Sequence, residues 1–351
     1  MSKFLSSRLQ NLEAYTPGEQ PKNNEYIKLN TNENPFKQAV CEQINLASLN
    51  IYSDTNCTEL TRVFAEYYNI GKNNVVFANG SDEILAFCFL AFCDDNINVC
   101  FPEISYGFYS VFAELFGIEV EKIALKEDFS IDINDYFSKK KTIIIANPNA
   151  PTSLALGIDD IEKVVLNNKD SIVIIDEAYV DFGAESSVIL TSKYDNLIVC
   201  GTFSKSRSLA GARLGYAIAC ESLIEDINKI KYSYNPYNVN TLTQMLGANS
   251  IKNDSYFKDC IGQIINSREF FIRGLDSLGF ETLNSKTNFV FTKNANIDGT
   301  ILYQKLKDRK ILVRHFRDEL IKDYIRVSIG TMEQMQIVLD NIAQILEEKN
   351  A

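Results

Sequence analysis

From about residue 75 the chain alternates short apolar runs with longer stretches of helical periodicity. The runs are Val75-Val76-Phe77-Ala78, Ile97-Asn98-Val99-Cys100-Phe101, Thr142-Ile143-Ile144-Ile145-Ala146, Ile172-Val173-Ile174-Ile175-Asp176, Leu197-Ile198-Val199-Cys200 and Gly215-Tyr216-Ala217-Ile218-Ala219. Continuous β-branched runs without polar alternation predict strands buried on both faces, and the spacing between them predicts helical crossovers. The fold class expected is therefore α/β, a mostly parallel sheet sandwiched by helices. After about residue 250 the pattern changes. A long helical stretch leads to Thr287–Thr292, a helix from about Gly299 to Lys310, the strands Ile311–Arg314 and Tyr324–Ser328, and a closing helix from about Met332 to Glu348. This predicts a smaller C-terminal α+β domain. Pro17, Gly18, Pro21 and Pro35 punctuate a polar start that reads as an extended arm. The division expected is an arm over 1–35, a large domain over 36–250 and a small domain over 251–351 that the arm joins.

Charge and composition narrow the partners. The chain has 351 residues, a net charge of −11 and 46% hydrophobic residues. An acidic balance argues against nucleic acid as the main partner, because neutralising phosphates needs a cationic face. No run approaches the roughly 18 apolar residues of a membrane span, and Met1 to Arg8 does not read as a signal peptide. The eight cysteines are scattered without a CxxC pair, and the single histidine, His315, is far from Cys88 and Cys93. They read as reduced cytosolic thiols, with no metal site expected.

The polar clusters fall where an open α/β sheet binds its ligand, just past the carboxyl ends of the strands. Asn79-Gly80-Ser81-Asp82-Glu83 follows one strand, Asn147-Pro148-Asn149-Ala150-Pro151-Thr152 another, Asp176 a third, and Thr202 to Lys205 a fourth. The first cluster reads either as an anion cradle at a helix start or as a glycine turn with a capping residue. Lys205 is the most telling residue. It lies among Thr202, Ser204 and Ser206, with Arg213 eight positions on. An amine beside hydroxyls and a guanidinium suits a phosphorylated aldehyde cofactor held as a Schiff base. Lys205 would then serve as nucleophile and as general acid/base, and both roles need its amine neutral part of the time. Asp176 opens Asp176-Glu177-Ala178-Tyr179, where a carboxylate can pair with a protonated ring nitrogen or simply cap a helix. Tyr179 could donate to a phenolic oxygen on that ring, and Tyr106 could stack on it. Arg314 and Arg326 sit in apolar strands, where a guanidinium is costly unless it meets an anion; a substrate anion or a structural ion pair would serve. His315 reads as a pocket wall or a satisfied structural histidine.

Taken together these segments resemble the fold-type I pyridoxal-phosphate aminotransferases, most closely the histidinol-phosphate aminotransferase family. The matching stretches are Leu29 to Pro35, Tyr52-Ser53-Asp54, Asn79 to Glu83, Tyr106 to Tyr109, Asn147 to Thr152, Asp176 to Tyr179, Ser204-Lys205 with Arg213, Arg314, and Arg326 to Thr331. The resemblance implies pyridoxal 5'-phosphate as cofactor, with Lys205 carrying it and Asp176 at the ring nitrogen. Tyr179 and Asn149, or Asn147 in its place, would hold the ring oxygen. Tyr106 would stack on the ring, and Gly80, Ser81, Asp82, Thr202, Ser204 and Arg213 would surround the phosphate. It also implies a homodimer in which Tyr52 reaches the neighbouring subunit's phosphate, with Asn34, Arg314 and Arg326 at the substrate. Two stretches depart from the family. Many relatives read Asn-Pro-Thr-Gly where this chain reads Ala150-Pro151-Thr152-Ser153. The Gly-Pro-Ser-Pro turn expected after Asn34-Pro35-Phe36 is missing, and the segment up to Tyr52 is several residues short.

The activity expected is amino transfer between glutamate and a small phosphorylated acceptor. Histidinol phosphate with 2-oxoglutarate is one pair. A smaller phosphorylated ketone, such as dihydroxyacetone phosphate going to serinol phosphate, stands beside it because the arm is shortened. An O-phospho amino acid decarboxylase uses the same lysine and aspartate, and would release carbon dioxide without an oxo acid. A non-enzymatic binding module of the same fold would show no visible absorbance from a lysine-bound cofactor.

Overall fold

The computed structural model describes residues 5–6, 9–10, 12–21, 25–38 and 49–350. The first four residues and most of the shortened stretch between Phe36 and Tyr52, namely 39–48, lie outside the described residues. The arm contributes β1 (Ile27–Lys28). Beyond it, α1 (Thr58–Tyr68) leads into β2 (Val75–Ala78), α2 (Gly80–Phe92), β3 (Val99–Pro102), α3 (Phe108–Phe116), β4 (Val120–Ile123), β5 (Thr142–Ala146), α4 (Ile158–Leu166), β6 (Val173–Asp176), β7 (Leu197–Thr202) and β8 (Gly215–Ile218). The seven strands β2 to β8 form one sheet in the order β2-β8-β7-β6-β5-β3-β4.

Each of the six apolar runs became a strand of this sheet. Alternate residues point to opposite faces, and both faces are covered. Phe77, Ile143, Ile145, Val173 and Val199 enter one buried cluster, while Val76, Ile144, Ile174 and Ile198 enter another. Strands β3 to β7 run parallel, as expected from the crossovers, but β8 is antiparallel to both β2 and β7. Continuous apolar sequence reports burial and says nothing about direction, so the reversal left no mark in the pattern. Strand β4 (Val-Glu-Lys-Ile) escaped notice for the opposite reason. It is an edge strand with only Ile123 buried, so it carries no apolar run.

Helices α5 (Glu221–Tyr234), α6 (Thr241–Lys252) and the long α7 (Asp254–Ser277) connect to the C-terminal elements. These are β9 (Phe280–Thr282), β10 (Phe289–Asn294), α8 (Gly299–Asp308), β11 (Ile311–Leu312), β12 (Arg314–His315), β13 (Ile325–Ser328) and α9 (Met332–Asn350). An antiparallel sheet, β12-β13-β10-β9, packs with α7 and α9 around a third apolar cluster that includes Ile264, Phe271, Val290, Val327 and Val338. The arm joins this C-terminal unit rather than the large sheet. Strand β1 pairs in parallel with β11, and the Leu29 carbonyl accepts from the Ser328 amide at 2.9 Å. No helix among the described residues is long and apolar enough to cross a membrane.

Candidate active site

Strands β2, β5, β6 and β7 all point the same way, because β2 and β7 are each antiparallel to the β8 between them. Their carboxyl ends and the C-terminal unit enclose a cavity of about 400 Å³. Its wall includes Ser81 and Asp82 after β2, Tyr106 after β3, Ala150 after β5, Asp176 and Tyr179 after β6, and Thr202, Ser204 and Lys205 after β7. Arg213, Arg314 and Arg326 complete it, with Tyr15 and Asn32 from the arm.

At the start of α2 the backbone is pressed against two neighbours. A side chain at Gly215 would put its Cβ 2.2 Å from the Gly80 carbonyl carbon, and one at Gly80, itself at φ 78°, would lie 2.5 Å from Arg213 Nη2. The guanidinium therefore lies directly over the first residue of α2. The Asn79 side chain makes no cap bond to the first turn of α2, its amide group donating to the Asn238 carbonyl instead, while the Glu83 carboxylate accepts from the Asn79 backbone N–H at 2.7 Å. That first turn, the Arg213 guanidinium and the Ser81, Thr202 and Ser204 side chains converge on one corner of the cavity, which fits a phosphate. The Thr202 hydroxyl bonds to Ser204 Oγ at 2.9 Å. Asp82 holds the arrangement from the side: its carboxylate accepts from Tyr106 Oη at 2.8 Å and pairs with Arg213 at 2.9 Å.

Asp176 ends β6 buried at 4% exposure. It accepts from Tyr109 Oη at 2.7 Å and from the Ala178 amide at 3.1 Å. Burial pushes its carboxyl up to about 6, against the pull of the Tyr109 hydroxyl, and no ion pair forms there among the described residues. A buried acid without a cation suits a site that receives one. In the ligand-free protein a folded-state value above the ordinary 3.8 means that Asp176 favours folding fully below about pH 4, and that this contribution is lost as pH rises through about 6. Ligand-free Asp176→Asn is therefore expected to be more stable than the parent at pH 7.5, by about 3 kcal/mol. The advantage should disappear below about pH 4. Urea melts of both proteins across that range measure the difference.

Lys205 lies half-buried just beyond β7. Its ammonium donates to the Thr31 carbonyl at 3.1 Å and sits 5.6 Å from the centre of the Tyr179 ring. It makes no ion pair among the described residues. Arg314 and Arg326 are directly opposite each other across the β12–β13 pair. Arg326 donates to the Asn30 carbonyl at 3.0 Å and faces the Phe289 and Phe316 rings, and its buried Nε has no partner among the described residues. Burial holds its guanidinium below the usual arginine range. Arg314 reaches only the Thr16 carbonyl, at 3.4 Å, and the face of Phe316. Neither arginine has a carboxylate partner among the described residues. Like charges directly opposite on paired strands repel, so an anion between them fits better than the structural ion pair that the sequence left open.

Asn149, Asn147, Asn34 and Tyr52 do not line the cavity of their own chain. Asn149 is buried, with its amide donating to the Ile104 carbonyl and to Thr152 Oγ1, both at 2.9 Å. Asn147 exchanges hydrogen bonds with the Leu156 backbone. Ala150, between the two prolines, faces the cavity in their place. Asn34 donates to the carbonyls of Lys205 and Ser206, at 3.1 and 3.3 Å, and so braces the lysine loop from behind. Tyr52 is 80% exposed and stacks on Tyr237, with ring centres 4.3 Å apart. His315 Nε2 donates to the Lys322 carbonyl at 2.7 Å, outside the cavity wall. Tyr109, Tyr15 and Asn32 were not singled out in the sequence. Tyr109 is the second residue of α3, and its ring centre lies 5.6 Å from that of Tyr106, which precedes the helix; Tyr15 lies in a stretch with no periodic signal.

Fold and cavity together define a pyridoxal-phosphate-dependent transferase of fold type I. The lysine and the buried aspartate, neither in an ion pair among the described residues, and the glycine-floored anion corner all fit that cofactor. The chain belongs to the aminotransferase class I and II family, which it matches over residues 24–342, and within it to the histidinol-phosphate aminotransferases. It is 52% identical to the histidinol-phosphate aminotransferase of Brachyspira hyodysenteriae, covering 99% of this chain and 100% of that one. It is 44% identical to that of Clostridium botulinum strain 657, with the same coverage. Among solved structures, the histidinol-phosphate aminotransferase of Clostridium acetobutylicum superposes with a TM-score of 0.83 at 25% identity, over 92% of this chain and 99% of that one. The Sinorhizobium meliloti histidinol-phosphate aminotransferase, solved in complex with pyridoxal-5'-phosphate, shares the fold with a TM-score of 0.84 at 19% identity, over 92% and 91%.

Proposed function

We propose that the protein moves an amino group between glutamate and the ketone corresponding to histidinol phosphate, giving histidinol phosphate and 2-oxoglutarate. The observation that carries this reading is the opposed pair Arg314 and Arg326, without carboxylate partners, on the wall of the cavity that holds Lys205. Every substrate of this reaction is an anion, carboxylate or phosphate, and both guanidinium groups face the place where it would react.

Pyridoxal phosphate, when bound, supplies an aldehyde to take up the amine and a ring to accept the electron pair released at carbon. The chain does the rest. Lys205 would hold the cofactor, and its amine would carry the proton at the substrate carbon. Asp176, fixed by Tyr109, would keep the ring nitrogen protonated, and that cation would relieve the cost of burying the carboxylate. Tyr106 would pack on the ring, Tyr179 would donate to its oxygen, and the corner made by Gly80, Ser81, Asp82, Thr202, Ser204 and Arg213 would hold the phosphate. Asn34 keeps the lysine loop in place through the Lys205 and Ser206 carbonyls.

The same reading includes a cytoplasmic homodimer. Leu49, Ile51 and Tyr52 are consecutive or near-consecutive apolar side chains at 51%, 66% and 80% exposure, and Tyr52 stacks on the exposed Tyr237. Apolar surface of this kind marks an interface more often than a solvated face. Tyr52 is then placed to reach the partner's phosphate corner.

Purified protein supplied with glutamate and each candidate acceptor tests the reading through release of 2-oxoglutarate. Turnover is expected with the ketone of histidinol phosphate. Turnover with dihydroxyacetone phosphate alone would move the assignment to the smaller ketone. Carbon dioxide release from an O-phospho amino acid without any oxo acid would move it to a decarboxylase.

A further inference from the structure

The wall after β5 presents an alanine to the cavity. Ala150 lines the cavity between Pro148 and Pro151, while the amides of Asn147 and Asn149 are turned to Leu156, Ile104 and Thr152. Under the reading above, the ring oxygen then depends on Tyr179. A phenol has one proton to give, and what its oxygen accepts from elsewhere decides where that proton points. Asn32 Nδ2 donates into the Tyr179 oxygen at 3.0 Å. An amide NH2 only donates, so the phenolic proton is left free for another acceptor.

The orientation of Asn32 is fixed by its own partners. Its Oδ1 accepts from Ser328 Oγ at 2.9 Å, and Ser328 Oγ accepts from the Asn32 backbone amide at 2.9 Å. Turning the Asn32 amide over would leave the buried Ser328 proton without an acceptor. The Asn288 amide holds the Asn32 carbonyl at 3.0 Å. Asn32 itself is 1% exposed and adopts a left-handed backbone at φ 54°, which asparagine tolerates better than most residues. A strand of the C-terminal unit, the arm and the loop after β6 are thereby linked through one side chain.

We propose that Asn32 is a positioning residue for the cofactor: by donating into the Tyr179 oxygen it directs the phenolic proton at the ring oxygen, where Ala150 offers no second donor. This rests on Tyr179 meeting that oxygen. A proton donated there stabilises the form with more negative charge on the oxygen. It therefore lowers the pH at which the lysine-bound chromophore loses its own proton.

The test is a pH titration of the visible absorbance of cofactor-loaded protein, in the parent and in Tyr179→Phe, Asn32→Gly and Asn32→Asp. Glycine keeps the left-handed backbone and removes the amide. Aspartate keeps the shape but accepts the phenolic proton instead of releasing it. Tyr179→Phe is expected to raise the titration midpoint by about one pH unit, the worth of a hydrogen bond to a charged group. Asn32→Gly should raise it by about half a unit through lost direction and polarisation, and Asn32→Asp by at least as much as Tyr179→Phe. If Tyr179→Phe raises the midpoint while both Asn32 variants keep the parent value, Asn32 has no positioning role and the Tyr179 assignment stands. If Tyr179→Phe leaves the midpoint unchanged, the Tyr179 assignment itself fails, and the role of Asn32 with it.

Discussion

Lys205→Ala is expected to abolish both the visible absorbance of the lysine-bound cofactor and the transamination activity, the latter by at least about a thousand-fold. The expectation follows from the surroundings of the amine. Its hydrogen-bond partner among the described residues is a backbone carbonyl, Thr31 at 3.1 Å, and no carboxylate neutralises it. A lysine kept for structure would have an acid within reach. This one is half-buried, faces the cavity, and is held from behind by Asn34 through backbone carbonyls that the substitution leaves intact. The fold should survive: loss of a single amine–carbonyl contact costs about 1 kcal/mol. Lys205→Arg keeps a donor for Thr31 and should be as inactive as the alanine variant. Absorbance spectra, melting curves and turnover of the three proteins decide between a chemical and a structural role. Residual absorbance in Lys205→Ala equal to the parent would refute the assignment.

The second large effect is at Arg326. Arg326→Leu is expected to raise KM for the substrate anions by about a hundred-fold, the cost of leaving a buried anion without its charged partner. It should leave the substrate-free protein at least as stable as the parent, because the guanidinium is buried against aromatic faces with its Nε unpartnered among the described residues and Arg314 opposite. Removing a buried charge that lacks a counter-ion is neutral or stabilising by about 1–4 kcal/mol. The two signs separate the alternatives the sequence left open. A structural ion pair predicts a large loss of stability, whereas an anion site predicts a large loss of affinity with none. Added substrate anion should raise the melting temperature of the parent and not that of Arg326→Leu, since only the parent gains linkage stabilisation.

The sequence revealed where the chemistry sits more clearly than how it is held. Lys205, Asp176 and the Asn79–Glu83 cluster stood out because apolar strands ended on polar residues, and the sheet brings those ends together as parallel topology requires. The opposed placement of Arg314 and Arg326 depends on strand register, which two short strands do not announce. Asn147, Asn149 and Ala150 show a second limit. Three positions within one four-residue loop differ in which one faces the cavity, and that is decided by contacts with Ile104 and Leu156, forty-five and nine residues away from Asn149 and Asn147 in sequence. The support behind the site was least visible. Tyr109, Asn32 and Asn34 act through hydrogen bonds that cross between elements, and nothing in local periodicity encodes such partners.

The most direct test of the central claim is a half-reaction watched by absorbance. Cofactor-loaded protein is mixed with histidinol phosphate alone, and 2-oxoglutarate is added afterwards. The account predicts that histidinol phosphate removes the visible band of the lysine-bound cofactor and that 2-oxoglutarate restores it with one glutamate formed per site. A band that stays unchanged with histidinol phosphate, but is lost with serinol phosphate or accompanied by carbon dioxide release from an O-phospho amino acid, would contradict it.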